Sequence, residues 1–431
     1  MRWLFVALLG ACSFRAHELA HDASADAPSD GLTATCTPNE TACDGRVRKV
    51  CGASGTWDTT LDTTCDFTCS AGACVKASNV AITAVATCGP GAPVLAPPMG
   101  AIVTVSASGG DHIECSPTCG TTTTIDAIAV GGGLAWFCVA SIDIPAGVTM
   151  TVPSSGGPAE AIAVISDGPV SIGGTIDFDG GDASSAVPGG RGAPGGFDGS
   201  DLTSSADSNG NGPCAGQGGH HSGSSDHWIG GGGGGGGFLA AGAAGGGGQC
   251  TNSDHTTTGG DASTASCGTP ELIPLVGGSG GGAGGDATTN VQQGWAGGGG
   301  GGAIQISSRV SVHVTGAIHA RGGNGSGQNT VDGGGGGGAG GAVLLEAPSL
   351  MLPGVIVVDG GNGGPSGAGP GGLGETGTTP AGIGATYTQA GQGGSGGGGG
   401  GGRIRLNAGN AACPQGASPA SSCTTGSLAL Q

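Results

Sequence analysis

Fifteen residues recur three times without a gap, and they constrain the chain more than anything else in it. The copies read PVSIGGTIDFDGGDA at Pro169–Ala183, SVHVTGAIHARGGNG at Ser311–Gly325 and SLMLPGVIVVDGGNG at Ser349–Gly363. Val or Leu stands at the second place, Ile, Val or Leu at the fourth, Gly at the sixth and Ile at the eighth. Each copy closes on Gly-Gly, then Asp or Asn, then Gly or Ala. Two short alternating apolar runs around a glycine read as strand, bend, strand. Repetition of such a unit is the mark of a stacked architecture.

A further apolar run precedes each copy: Ala161-Ile-Ala-Val-Ile, Ala303-Ile-Gln-Ile and Ala342-Val-Leu-Leu-Glu. From its alanine to the bend glycine the spacings are 13 (Ala161 to Gly174), 13 (Ala303 to Gly316) and 12 (Ala342 to Gly354). Each unit therefore supplies three strands, the cross-section of a parallel β-helix with a narrow aliphatic core. The expected fold is mainly β: a parallel β-solenoid over 79–431 with a long insertion at about 182–293. Val80–Thr87, Ala101–Ser106, Ile125–Val130 and Leu134–Ser141 are the expected strands before the repeat.

Glycine supplies 104 of the 431 residues, where roughly 7% is usual. It is gathered into runs at Gly230–Gly237, Gly297–Gly302, Gly333–Gly338 and Gly396–Gly402, each leading shortly into an apolar segment. Random linkers would not be phased in this way, and no sustained Gly-X-Y period suggests collagen. Ordered glycine costs about 0.5–1 kcal/mol against alanine, so ordering these runs needs close backbone contact in return. Their composition and length resemble the polyglycine segments of anaplastic-lymphoma-kinase-type receptor ectodomains, where such strands pack as extended left-handed helices. That resemblance implies ordered packing; flexible loops hanging from the solenoid are the competing expectation.

Charge narrows the partners. The net charge is −19, and both lysines, Lys49 and Lys76, precede the glycine-rich body. Phosphate backbones and anionic lipid surfaces need clustered Lys and Arg, so nucleic acid is excluded as a partner.

At the N-terminus Arg2 and the apolar stretch Trp3–Leu9 lead into Leu9-Gly10-Ala11-Cys12. This resembles the lipobox of bacterial lipoproteins, in which the signal (here 1–11) is cut before the cysteine and its thiol is lipidated. The resemblance implies lipidation at Cys12, and Ser13 beside it resembles the pattern sent to the outer membrane. A plain secretory signal is the alternative. Residues 12–35 are poor in apolar groups and read as a disordered tether. Within it His17 and His21 read as solvated. A Cys-rich segment spans 36–76, with Arg46–Cys51 and Thr56–Thr60 as its expected hairpin. Its pattern C…C…C-x-x-x-G-x-W…C…C…G-x-C resembles small modules of bacterial surface lipoproteins.

Sixteen cysteines in so unreactive a chain indicate an oxidising compartment and disulfide staples. With Cys12 lipidated, the candidates are Cys36, Cys43, Cys51, Cys65, Cys69, Cys74, Cys88, Cys115, Cys119, Cys138, Cys214, Cys250, Cys267, Cys413 and Cys423. Their odd number leaves at least one outside an internal pair. Cys115–Cys119 and Cys88–Cys138 are plausible bridges. Zinc in the Cys-rich segment is disfavoured because it holds no CxxC pair. In the insertion His220, His221, His227 and His255, with Asp226 and Asp254, are weak metal candidates without a ligand frame. DFDGGDA at Asp177–Ala183 and VDGGNGG at Val358–Gly364 superficially resemble calcium-binding nonapeptide solenoids, but the nonapeptide period is missing. Asp182, Asn324 and Asn362 read better as turn residues. No metal or other cofactor is expected.

Catalysis has little to work with. Asp177 and Asp179 share one strand face, but the other copies place His319/Arg321 and Val357/Asp359 there. After Lys76 the only fixed cations are Arg191, Arg309, Arg321, Arg403 and Arg405. The leading expectation is a non-catalytic structural or adhesive lipoprotein of the bacterial cell envelope, outer membrane or surface, held to the membrane by lipid and facing envelope or matrix polysaccharide. The alternatives are a carbohydrate-active β-helix enzyme and a metal-binding surface protein. Three or more carboxylates along one face with an Arg nearby would favour the enzyme, and converging histidines the metal protein.

Overall fold

The computed structural model describes residues 35–80, 88–89, 91–106, 111–128, 134–152, 160–184, 188–201, 208–224, 227–251, 255–286, 294–328 and 331–431. The expected signal, Cys12, nearly all of the expected tether and all but Val80 of the run Val80–Thr87 lie outside them. The protein is mainly β. Its only described helix is the short 3-10 turn Ala420–Ser422, and among the described residues no helix is long and apolar enough to cross a membrane.

Each copy of the repeat contributes one strand to each of three parallel sheets. The first sheet runs Leu134–Val139, Ala161–Ser166, Ala303–Ser308, Ala342–Glu346, Arg403–Asn407, Cys423–Gly426. The second runs Ile142–Ile144, Val170–Ile172, Ser311–Val314, Ser349–Met351. The third runs Ile102–Ser106, Thr149–Thr151, Thr175–Asp177, Ala317–His319, Val355–Val357, Gly416–Ser418. His112–Ser116 and Thr124–Asp126 extend this last sheet in antiparallel fashion at one end.

The observed register is that of the gapless alignment. Val170 pairs with Val312 and Val312 with Leu350, while Thr175 pairs with Ala317 and Ala317 with Val355. The shorter spacing of the third copy is absorbed at the corner Ala347-Pro348, because Ser307 pairs with Glu346 but Ser311 with Ser349. Ile176, Ile318, Ile356, Ile172, Val314, Ile304, Val343 and Leu345 meet between the sheets in one buried core.

Burial explains two kinds of strand sequence. The second and third sheets alternate inward apolar with outward polar residues. The first sheet is buried along whole strands, as AIAVIS and AVLLE, because both its faces are covered. On its outer face Trp136, Cys138, Ala163 and Ile165 pack with Phe67, Val75 and Leu428. Further along, Ala161, Ala303, Ala342 and Leu344 pack with Phe238, Leu272 and Leu275.

The Cys-rich segment thus lies on the sheets. Arg309 donates to the carbonyls of Cys88 (2.5 Å) and Asp66 (3.0 Å) and pairs with the Asp167 carboxylate. The buried Glu346 accepts from Ser78 N (2.9 Å), Ser78 Oγ (2.6 Å) and Asn407 Nδ2 (3.0 Å). The chain end returns to the same place, with Ala429–Leu430 pairing against Ala73–Lys76. Within the segment the main hairpin is Thr41–Asp44 with Val47–Val50, not Arg46–Cys51 with Thr56–Thr60. Gly45-Arg46 makes the two-residue turn between the paired Asp44 and Val47, with Gly45 at φ +57°, the positive φ that such hairpin loops favour. The expected pairing survives as a bridge between Cys51 and Trp57.

Seven disulfides staple the chain: Cys36–Cys51, Cys43–Cys69, Cys65–Cys74, Cys88–Cys138, Cys115–Cys119, Cys214–Cys267 and Cys413–Cys423. Cys250, counted among the disulfide candidates, belongs to none of them. It is 1% exposed.

The glycine runs are ordered and buried. In Gly230–Gly237 the N–H groups of Gly230, Gly233 and Gly236 donate to the carbonyls of Val331, Gly334 and Gly337. Those of Gly231, Gly234 and Gly237 donate to His220, Gln217 and Cys214, and those of Gly232 and Gly235 to Gly246 and Ala243. The partner changes with period three, the period of a polyproline II helix. The carbonyls of Gly230, Gly231 and Gly232 accept in turn from Gly394, Gly285 and Gly260, so the run is surrounded by neighbours bonded through backbone alone. A Cβ on Gly232 would lie 1.8 Å from Ser395 O, and one on Gly235 2.0 Å from Gly398 O. Glycine is obligatory here because another backbone fills the place of the side chain.

Candidate functional site

Polar side chains gather where the third sheet gives way to the Gly-Gly-(Asp/Asn) exits of the repeat. The ladder continues past the strands. Phe178 N donates to His319 O, Ala320 N to Val357 O and Gly180 N to Arg321 O. Phe178, Ala320 and Val358 point inward and are fully buried. By alternation the residues on either side of them point outward: Asp177 and Asp179, His319 and Arg321, Val357 and Asp359.

Asp179 and Arg321 are neighbours across two strands. Arg321 N donates to Asp179 Oδ1 at 2.6 Å, and its Nε and Nη2 reach Oδ2 at 2.8 and 2.6 Å. The bond to Asp179 raises the Arg321 pKa above its ordinary value, so the guanidinium stays charged. Asp177 is pushed the other way for a carboxylate. Burial, and then repulsion from Asp179, raise its pKa above the usual range. Asp179 N donates to its Oδ1 at 3.2 Å. Asp359 on the next strand accepts from Ser418 Oγ at 2.6 Å and Thr376 Oγ1 at 2.9 Å.

Asp182, Asn324 and Asn362 form a ladder rather than the expected turns, and none adopts a positive φ. Asn324 N and Nδ2 donate to Asp182 Oδ1 at 2.7 and 2.9 Å. Asn362 N donates to Asn324 Oδ1 at 2.9 Å, and Gly374 N to Asn362 Oδ1 at 2.9 Å. Each side chain bonds the backbone of the following layer, which pins the register where the strands end.

Asp179, Asp182, Arg321, Asn324, Asp359, Asn362 and Thr376 line a cleft of about 520 Å³, with Gly180, Gly322, Gly360, Gly361 and Gly374 between them. Asp177, Asp179 and His319 bring ligand-type atoms within 4.8 Å of one another, the one such group among the described residues. The Arg321 guanidinium on Asp179 competes with any cation there. His220, His221 and His255 join no such group among the described residues. The His227 side chain, Asp226 and Asp254 lie outside the described residues.

Sequence spacing placed Asp177, Asp179, His319, Arg321 and Asp359 at equivalent positions. It missed Thr376, which lines the cleft from a remote segment, and Ser418, which donates to Asp359; neither carries a local signal. No protein-family model, curated protein or solved structure matches the chain.

Proposed function

We propose that the chain is an exported, lipid-anchored surface protein of a bacterial envelope, whose sheets coil as a β-solenoid and whose role is structural and adhesive. The carrying observation is the glycine bundle. A slab held by interlocked backbone and flanked by disulfides is rigid and needs no charged surface to stay assembled. The Cys-rich segment, clamped by Arg309 and Glu346, extends this rigidity toward the anchored end.

The sequence Leu9-Gly10-Ala11-Cys12, with its resemblance to a lipobox, supports the lipid anchor. A diacylglycerol on Cys12 supplies membrane affinity through its buried methylenes. Labelled fatty acid supplied to an expressing Gram-negative bacterium should enter the full chain and co-fractionate with membranes. Cys12→Ser should abolish both; unchanged labelling would sink the anchoring claim.

The carbohydrate-active enzyme stands as a second reading, and the cleft favours it more than the sequence did. Asp179, Asp182 and Asp359 line one face beside Arg321. Burial, then repulsion from Asp179, push Asp177 toward the acid form, and Asp179 beside it pairs with Arg321, a juxtaposition of two carboxyl groups of the kind glycoside hydrolysis uses. New reducing ends from a polysaccharide panel, lost in both Asp177→Asn and Asp179→Asn, would establish it. The absence of product across the panel would leave the non-catalytic reading.

A further inference from the structure

One cation breaks the pattern of the first sheet. Ala161, Ala303 and Ala342 hold equivalent outward places on successive strands and pack with Phe238, and the next strand puts Arg403 in that place. Arg403 is only 7% exposed, and its guanidinium carbon lies 5.8 Å from the centre of the Phe238 ring. Its Nε is enclosed and has no hydrogen-bond partner. Nη1 and Nη2 likewise meet no protein acceptor among the described residues. Burial lowers its pKa from the ordinary value, against the pull of Glu271, an exposed residue that forms no ion pair with it. A guanidinium nevertheless stays charged in a protein. An unpaired buried cation opposes folding, and the ring face recovers only part of that. Alanine, the residue of the three preceding strands, would avoid the penalty. A position that breaks the local rule with no structural gain is where function is expected.

The next outward residue of the same strand adds to the field. Arg405 stands two places on, about 7 Å away on the same face, and bonds only to neutral groups. Its Nε donates to Asn407 Oδ1 at 2.9 Å, and its Nη1 to Thr425 O at 3.0 Å and Thr424 Oγ1 at 3.5 Å. Two guanidinium groups without a carboxylate in contact therefore occupy adjacent outward places, in a chain of net charge −19. With Nε enclosed, the open donors of Arg403 are Nη1 and Nη2, a pair that matches two oxygens of a carboxylate, sulfate or phosphate. A neutral hydroxylated ligand would leave the charge unpaired, and a long polyanion is repelled by the acidic remainder of the chain. We propose that Arg403, supported by the field of Arg405, binds a small oxyanion on Nη1 and Nη2, with the Phe238 ring against the guanidinium. Glu271 is the charge that works against this ligand.

The test uses the full chain in calorimetry and thermal melts with sodium sulfate, phosphate and formate, each against sodium chloride at matched ionic strength. Binding of the oxyanions and a raised melting temperature are expected, with no such response to chloride. Arg403→Ala installs the residue of the preceding strands, so it should melt no lower than the parent while losing oxyanion affinity by roughly tenfold or more. Glu271→Gln removes the opposing charge and should tighten binding about twofold or more; it decides the matter if Arg403→Ala melts lower. A response to chloride equal to that of the oxyanions overturns the proposal. So does a well-folded Arg403→Ala that binds as the parent does, or a Glu271→Gln with unchanged affinity where the alanine variant is destabilised. Galacturonate and its hexamer separate a small ligand from a polymer. Similar affinity for the two supports the small ligand. A hexamer bound roughly tenfold more tightly, and lost in Arg403→Ala, would make this a polymer site and overturn the small-ligand assignment.

Discussion

The three-sheet body and the glycine bundle are both made of extended chain, yet they are held together by opposite means. In the body, hydrogen bonds run between like strands in register, and the space between sheets is filled by Ile, Val and Leu. In the bundle each residue bonds a different neighbour in turn, and no side chain separates the backbones. The body gains its stability from apolar area removed from water. The bundle gains it from saturated backbone bonding and close contact, set against the larger entropy loss of ordering glycine. It follows that the body should respond to lost volume and the bundle to added volume.

Substitution tests this contrast, and the largest effect belongs to the bundle. Gly232→Ala adds one methyl where 1.8 Å separates the new carbon from Ser395 O; a loss of about 4 kcal/mol or more is expected in denaturant melts. A cost below 1 kcal/mol would mean that the bundle is looser than described. In the body, Ile318→Ala removes volume from a fully buried site and should cost about 3–4 kcal/mol.

Arg309→Ala probes the clamp between the Cys-rich segment and the sheets. Its guanidinium is buried and its partner Asp167 partly so, so a loss of about 3 kcal/mol is expected, accompanied by faster proteolysis within the Cys-rich segment. Unchanged proteolysis would deny the clamp.

Asp177 gives a smaller, pH-dependent effect. The folded protein holds its proton more tightly than the unfolded chain, because burial and Asp179 disfavour the charge. Its contribution to stability is therefore fully present below the ordinary carboxylate pKa and is lost as pH rises through the raised value. Asp177→Asn should match the parent in acid and surpass it at neutral pH, read from melts across that window. The smallest effect is expected at Gly409, where an added Cβ meets nothing within 4 Å and φ is not positive. Gly409→Ala should be stabilising by roughly 0.4–1 kcal/mol through the unfolded chain. The pair Gly232 and Gly409 then separates glycine kept for packing from glycine that is merely tolerated.

Much of the body was legible because its signal is local and repeated. The apolar places of the three copies fix which side chains face inward, and the alanine spacing reveals the third strand. The one-residue difference in the last copy appears as a shorter corner at Ala347-Pro348. The hairpin of the Cys-rich segment was misplaced because the turn signal of Gly45, in the Gly45-Arg46 loop, was passed over for the Gly52–Gly55 stretch. The Asp182, Asn324 and Asn362 positions were recognised, but not their use, since a side chain that bonds the next layer looks the same in sequence as one that bonds its own turn. The cleft was half visible. Its residues just past the strands follow the repeat, whereas Thr376 arrives through folding.

What the sequence by itself determined is the strand-bend-strand register, because alternation of apolar and polar residues is a local property of each strand. Tertiary structure alone decided how the glycine runs are used. A run of glycines has no side chain to encode a partner. Its neighbours are chosen by where the sheets deliver each segment and by which backbone carbonyls then lie within reach. The same holds for Asp179 and Arg321. Their pairing depends on two strands 142 residues apart in the chain, brought side by side only when the repeats stack.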